Sequence, residues 1–377
     1  MGATPAVIAF RIIATLVAAA LLVRTLVSAV RSFVVPRDEP TGLTRFVFIL
    51  LRVPFYAVAR RRERADAHRV MRAYAPSALL LLPVIWIFVT WLTFAVFYWA
   101  IGEADFRRSI EISGSSVTSL GTYAADGLLA AVLTYGEAAL GLGLVALLIT
   151  YLPTIYAAYQ RREREVSLLS VRAGTPPSGV EMLVRFQIIG LLDDTEDLWT
   201  GWEAWFVDIE ESHTSMGSLA HFQSGLVDHS WITASGAVLD GAALLLSSVD
   251  VPPNARAQLC IRSGFLALRH VADYFDIAYD HDPAPTDPIS VTRAEYDQAV
   301  ARLRSEGVPV RADRDQAWRD FAGWRVNYDK VLLDLCSLVW APPAMWSGDR
   351  SGLFRRPPLT RRAGRGHGTR TGHERML

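Results

Sequence analysis

The sequence predicts an all-α protein: a membrane domain of about three transmembrane helices with a re-entrant loop, followed by a helical cytoplasmic domain. Hydrophobic residues make up 51% of the 377 positions, and they are concentrated in the first ~160 positions, as in a membrane domain joined to a soluble one. Beyond that point, apolar residues recur at helical spacing, without the alternation typical of strands. Lys+Arg and Asp+Glu both number 38, so the net charge indicates no class of partner.

The first element, residues 1–35, is predicted to be an N-terminal transmembrane helix. The stretch Ile8–Val30 is apolar apart from Arg11 and Arg24, whose long side chains can reach opposite membrane interfaces. A signal peptide is the alternative. It fits less well, because Arg24 interrupts the apolar run and no clear A-x-A cleavage site follows.

Residues 36–76 are predicted to form a cytoplasmic linker with one interfacial helix, at Arg45–Ala59. This segment is short for a span and contains Arg52 and Pro54, so we place it at the membrane surface. A fourth transmembrane helix is the alternative.

Residues 77–160 contain the two clearest spans, separated by a loop. Ser77–Ile101 carries no charge and ends in an aromatic cluster, and the second span, from Leu128 to about Tyr159, is interrupted only by Glu137. Each exceeds the ~20 residues that a bilayer core requires. Basic residues are concentrated in residues 31–72 and directly after Tyr159, so the positive-inside rule places the N-terminus outside and the C-terminal domain in the cytoplasm of a cell membrane.

The loop at residues 102–127 is longer than a simple connection between two membrane helices needs. Its centre, Ser109–Gly121, alternates apolar and hydroxyl residues. This pattern predicts a helix that enters the membrane half-way, followed by an extended return, because irregular backbone at membrane depth must be buried in protein or line a watery cavity. A hydroxyl-rich external loop is the alternative.

Ser113–Tyr123, SGSSVTSLGTY, resembles the pore helix and filter of potassium-channel-like proteins with two helices per pore unit. Thr118 and Ser119 match the hydroxyl positions of that motif, Leu120 the aliphatic one and Gly121 its first glycine. Thr122 stands where the motif has an aromatic residue, and Tyr123 stands where it has a second glycine, which would let the backbone turn its carbonyls without steric cost. The resemblance covers roughly residues 77–165.

This resemblance implies a homotetrameric cation channel, with ions passing through a pore lined by the 113–123 loop. The permeant monovalent cation, K⁺ among the candidates, would be the only non-protein component. The degenerate filter keeps a second reading open, a non-conducting membrane scaffold or sensor. Predicted pore supports are Glu137, Ser113 and Ser116, and predicted gating hinges are Gly141, Gly143 and Pro153; close helix packing is the alternative explanation for the glycines.

Residues 161–345 are predicted to form the helical cytoplasmic domain, with no catalytic motif and no metal site. Acidic and histidine residues cluster at 208–229 and 270–282, but without metal-binding spacing; an enzyme site there is the weakest alternative. Cys260 and Cys336 fit no disulfide framework. The arginine-rich tail, 346–377, is predicted to be disordered and to touch anionic lipids; no nucleic-acid partner is expected.

Overall fold

A computed structural model of the chain describes residues 5–33, 42–102, 105–123 and 126–350. Within these ranges every extended regular element is helical, which confirms the predicted all-α class; one isolated bridge joins Val249 and Val310. The helices are α1 Pro5–Phe33, α2 Gly42–Ala59, α3 Arg64–Ile101, α4 Phe106–Val117, α5 Leu128–Ala173, α6 Gly179–Ile188, α7 Glu196–Ser215, the 3₁₀ helix Gly217–His221, α8 Trp231–Ser248, α9 Ala255–Tyr274, α10 Arg293–Ser305, α11 Arg314–Arg325 and α12 Asp329–Val339.

Five of the described helices are long and apolar enough to cross a membrane: α1, α2, α3, α5 and α8. In α8 the apolar stretch is 94% buried inside the protein, whereas the corresponding figure for α1 is 6%. The apolar surface of α8 is therefore covered by protein, and its hydropathy reflects its place at the centre of the C-terminal domain (residues 179–350). The other four helices leave apolar surface uncovered, as membrane helices do.

Both long helices continue past 77 and 160, the predicted limits of the pore domain. Helix α3 already begins at Arg64, and α5 continues to Ala173 without interruption. The change from apolar to charged residues marks the expected limit of the bilayer core, but it does not end a helix. Protein packing supports the extra turns of α3, where the Tyr74 hydroxyl donates a 2.8 Å hydrogen bond to the carbonyl oxygen of Phe48 in α2.

The C-terminal domain is attached to α5 through a buried arginine. Arg162 is 2% exposed, and its guanidinium donates to the carbonyl oxygens of Leu219, at 2.9 Å, and Phe222, at 2.7 Å. Its neighbour Glu163 provides the compensating charge at 2.8 Å. Because a buried guanidinium needs several acceptors, these bonds fix the 3₁₀ helix and the residue that follows it against α5.

The core of the C-terminal domain holds a second buried arginine. Arg325, 0% exposed, forms ion pairs with Asp240 of α8 and Asp329 of α12. Residues 326–328 separate α11 from α12. The break lets the side chain of Tyr328 turn inward, where its hydroxyl donates to Asp240 at 2.8 Å.

The predicted start of the disordered tail at 346 is wrong by five residues. Trp346 and Ser347 are 3% and 1% exposed, and Arg350 pairs with Glu295 of α10. The domain therefore continues through residue 350. The rest of the predicted tail, 351–377, lies outside the described residues.

Candidate functional site

The candidate site is built around α4, the short helix between α3 and α5. Asp105 caps its N-terminus by accepting a 2.9 Å hydrogen bond from the backbone N–H of Arg108. On its buried side α4 packs against Trp91 of α3, whose indole N–H donates to the carbonyl oxygen of Ile110 at 2.9 Å. Gly114 lets the helix approach that indole, since a Cβ there would lie 3.2 Å from the ring nitrogen.

The C-terminus of α4 ends in a Schellman turn over residues 118–121. Ser119 adopts the left-handed conformation, with φ of 57°. Its N–H donates to the carbonyl oxygen of Ser116, and the N–H of Leu120 donates to that of Ser115, both at 2.9 Å. This is the pair of bonds that closes such a cap. An extended conformation directly after the helix was predicted, and at these four residues the prediction is wrong, because local hydrogen bonds wind them into a turn.

Beyond the turn the chain runs back along α4. The backbone N–H of Tyr123 donates to Ser115 Oγ at 3.0 Å, and the Tyr123 ring lies 4.4 Å from the guanidinium of Arg108 in the first turn of α4. The chain therefore reverses direction at the end of α4 and brings Tyr123 back beside the first turn of that helix. Leu120, at the tip, is 71% exposed, and the surroundings of Gly121 are open.

Behind α4 lies Glu137, buried completely within α5. Its carboxyl group contacts the Ser113 hydroxyl of α4 on one oxygen and, at 3.1 Å on the other, the Tyr98 hydroxyl of α3. Glu137 thus joins all three helices of this unit. In the described part of the chain no basic side chain forms an ion pair with it.

Of the remaining predicted supports and hinges, some contact α4 or α5 closely and others face open space. The Ser116 hydroxyl donates to the carbonyl oxygen of Thr134 at 2.9 Å. Gly141 lies directly against the end of α4, since a Cβ there would be 2.2 Å from the Val117 carbonyl oxygen, while nothing lies within 4 Å of the position a Cβ would take at Gly143. Pro153 is inside the continuous helix α5. The two glycines therefore differ in role, and Gly141 is a packing position.

Gly141 gives the position of the end of α4 along α5. This residue is 13 positions beyond Leu128, the first residue of α5, which corresponds to about 20 Å along the helix axis. The end of α4 therefore packs well away from the first turn of α5.

Known proteins provide no further guide to this unit. No family model, curated protein or solved structure matches the chain. Three residues that contact α4 or Glu137 were not identified from the sequence: Trp91, Tyr98 and Thr134. Tyr98 was visible only as part of an aromatic cluster, because the sequence does not give the register of α3 against α5.

The acidic and histidine clusters of the C-terminal domain do not converge. Among the described residues no three His, Cys, Asp or Glu side chains come together as metal ligands. His270 pairs with Glu210 at 2.9 Å, while His213 and His221 are buried. Burial lowers the pKa of His221 to about 3, with a smaller contribution from Arg52, and burial lowers that of His213 well below its usual range. Both are neutral core histidines at pH 7.

Proposed function

We propose that the chain is one subunit of a homotetrameric cation channel in a cell membrane, with ions passing along the loop at residues 118–123. The observation that carries this proposal is the order and packing of three elements: a long apolar helix, a short helix with a reversing chain, and a second long apolar helix. A single such loop cannot enclose a path, so the proposal requires several copies around an axis.

The exposure of the loop supports this requirement. Leu120 at the tip is 71% exposed and Leu128, at the start of α5, is 83% exposed, which leaves apolar surface that neighbouring subunits would cover. The hydroxyl groups of Thr118 and Thr122 and the backbone carbonyls of this segment are oxygen donors, which suit an alkali cation such as K⁺. We infer from the positive-inside pattern that the N-terminus is outside and the C-terminal domain is in the cytoplasm, which requires α2 to lie at the membrane surface instead of crossing it.

A non-conducting membrane scaffold or sensor is the second candidate, and the turn at residues 118–121 favours it. Carbonyl oxygens of Ser115 and Ser116 already accept hydrogen bonds from Leu120 and Ser119 within the same chain. A channel filter needs carbonyl oxygens that point to the ion instead. Conduction would therefore require residues 118–123 to supply the oxygens, or the turn to open on assembly.

The first prediction is tested by cation flux into liposomes that contain the purified protein. Gly121→Asp is expected to reduce K⁺ or Rb⁺ flux at least tenfold, because it places a bulky charged side chain at the tip of the loop. Gly190→Asp is the matched control: Gly121 and Gly190 have φ of 68° and 70°, both are surrounded by open space, and Gly190 lies in a turn of the C-terminal domain.

The two variants separate the alternatives. Flux lost in Gly121→Asp but kept in Gly190→Asp, with the oligomer intact in both, supports a path through the loop. Equal flux in both variants excludes this path, and no flux from well-folded wild-type tetramers at several voltages and pH values favours the scaffold.

A further inference from the structure

A cavity lies where the apolar helices meet the C-terminal domain, away from the loop. Its walls come from α1, α2, α3 and α5 on one side and from the 3₁₀ helix and the end of α9 on the other. The cavity has a volume of about 90 Å³, counted as the space open to the centre of a water molecule. This is room for several waters or for one small polar headgroup.

The polar part of this cavity is cationic. Arg31 of α1 and Arg45 and Arg52 of α2 line it, and none of the described lining residues is acidic. Asp276, just outside the lining, pairs with Arg45 at 2.9 Å and offsets one of the positive charges. Arg52 is 4% exposed, so its charge acts in surroundings where water screens it weakly.

Hydroxyl groups lie beside the arginines. Ser32 and Thr44 line the cavity and are within 2.7 Å of each other. Ser218, from the 3₁₀ helix, also lines it, with its Oγ shielded from solvent beside the Tyr151 hydroxyl. Guanidinium and hydroxyl donors together are the groups that bind phosphate oxygens.

Much of the remaining lining is apolar and aromatic. Leu79 and Leu82 of α3 form part of it, together with Phe33 and Tyr151, whose rings pack edge to face 4.2 Å apart. Helix α1, which ends beside the cavity at Phe33, exposes apolar side chains along most of its length. A ligand with a charged head and a hydrocarbon chain would match both the cationic and the apolar parts of the lining.

We propose that this cavity binds the phosphate headgroup of an anionic lipid, with the phosphate on the arginines and hydroxyls and an acyl chain along α1 and α3. A phosphomonoester such as phosphatidic acid fits best, because its head is small and carries up to two negative charges. Basic clusters at the cytoplasmic side of a membrane helix attract such lipids. The proposal does not depend on ion conduction.

Binding of the lipid would join the two parts of the molecule. The phosphate would contact α1 and α2 from one side and the 3₁₀ helix from the other. A ligand that binds only the docked arrangement stabilises it in proportion to its concentration relative to its dissociation constant. We therefore expect the lipid to raise the thermal unfolding midpoint of the full chain.

The test measures binding of dioctanoyl phosphatidic acid to the full-length protein in mild detergent, by native mass spectrometry and by the shift in unfolding midpoint. Dioctanoyl phosphatidylcholine, glycerol 3-phosphate and inorganic phosphate are the comparison ligands. Wild type is expected to bind phosphatidic acid at least tenfold more tightly than each of these. Inorganic phosphate or glycerol 3-phosphate binding equally well would overturn the lipid assignment in favour of a soluble phosphate compound.

Two variants test the position of the site. Arg31→Gln removes one cation, and the double variant Arg45→Gln with Asp276→Asn removes another without leaving an unpaired carboxylate. Each is expected to weaken binding of phosphatidic acid at least tenfold. Arg61→Gln, at an exposed arginine outside the cavity, is the control and should leave binding unchanged. No binding by wild type, or the same loss in Arg61→Gln, would overturn the proposal.

Discussion

At the scale of single residues, Glu137 shows how a carboxyl group can be kept inside an apolar helix. Ser113 Oγ lies 2.7 Å from the carbonyl oxygen of Trp91 and also contacts the Glu137 carboxyl group. A hydroxyl has one proton, and a carbonyl can only accept. If Ser113 donates to the carbonyl, the contact with Glu137 is completed only when the carboxyl group is protonated and donates. We therefore expect Glu137 to be neutral when folded.

The second prediction follows from this proton count. Glu137→Gln keeps a neutral group with one donor side and one acceptor side, so its unfolding midpoint in detergent should stay close to that of wild type. Glu137→Leu leaves the Ser113 and Tyr98 hydroxyls without this partner and should destabilise the protein by about 1–3 kcal/mol. Thermal unfolding of both variants makes the comparison. If Gln proves as damaging as Leu, a charged carboxylate is the group that matters.

Sequence reasoning identified part of this residue network. The loop hydroxyls were expected near Glu137, because an acid about nine residues into a span reaches the depth of a half-inserted loop. The sequence did not distinguish Ser113 from the other candidates, which were Ser115, Ser116 and Thr118. Tyr98 could not be assigned, since α3 carries no feature that fixes which of its faces meets α5.

At the scale of elements, α4 is held by a close approach to α5. The Val117 carbonyl oxygen occupies the space that a side chain at position 141 would need. Only glycine permits this contact, and it fixes how far the short helix can enter between its neighbours. The predicted role of Gly141 as a hinge remains a separate hypothesis.

The third prediction compares two glycines of α5. Gly141→Ala would place a methyl group 2.2 Å from the Val117 oxygen, so α4 must shift, and a loss of about 1–3 kcal/mol is expected. Gly143→Ala meets open space and should be neutral or stabilising by up to about 1 kcal/mol, because alanine favours the helix. Thermal unfolding and liposome flux would both be measured. Equal effects of the two substitutions would contradict a specific packing role.

The element that sequence reasoning described incorrectly is the start of the return after α4. The hydroxyl-rich pattern predicted a short helix and a reversal, and both exist. It gave no indication that Ser119 takes the left-handed conformation, since that conformation is common for glycine and asparagine and uncommon for serine.

At the scale of the whole molecule, two buried histidines make the stability of the C-terminal domain depend on pH. His213 and His221 have pKa values far below that of an unfolded chain, about 6.5, because burial disfavours the charged ring. Below pH 6.5 the unfolded state therefore binds protons that the folded state does not. Their contribution is fully present above that pH and decreases as the pH falls toward about 3, the folded-state pKa of His221.

The fourth prediction is a loss of about 2 kcal/mol from His221 between pH 7.5 and pH 5, with a further loss in the same direction from His213. Chemical unfolding of the full chain at both pH values should show it. In His221→Gln the difference between the two pH values should shrink by that amount, whatever the variant's absolute stability. His281→Gln, at an exposed position, is the control and should keep the wild-type difference. An unchanged difference in His221→Gln would contradict the assignment.

The junction between the two parts of the molecule could not be predicted from the sequence. Its cavity is lined by residues from several helices that are far apart along the chain, such as Ser32, Tyr151 and Phe275. Periodicity identifies each helix by itself. How the helices meet depends on side-chain packing between residues that are far apart in the chain, and no local sequence pattern indicates that packing.

The length of α5 has a mechanical consequence. Its 46 residues, from Leu128 to Ala173, extend over about 69 Å. Two contacts along it are well separated: Gly141 packs against α4, and Arg162, 21 residues later, holds the C-terminal domain. These contacts lie about 32 Å apart along the helix axis, so the helix between them acts as a lever arm, and a tilt of about 5° about one contact displaces the other by about 3 Å. A small rotation of the domain would therefore shift the contact with α4 sideways, unless the helix bends at Pro153.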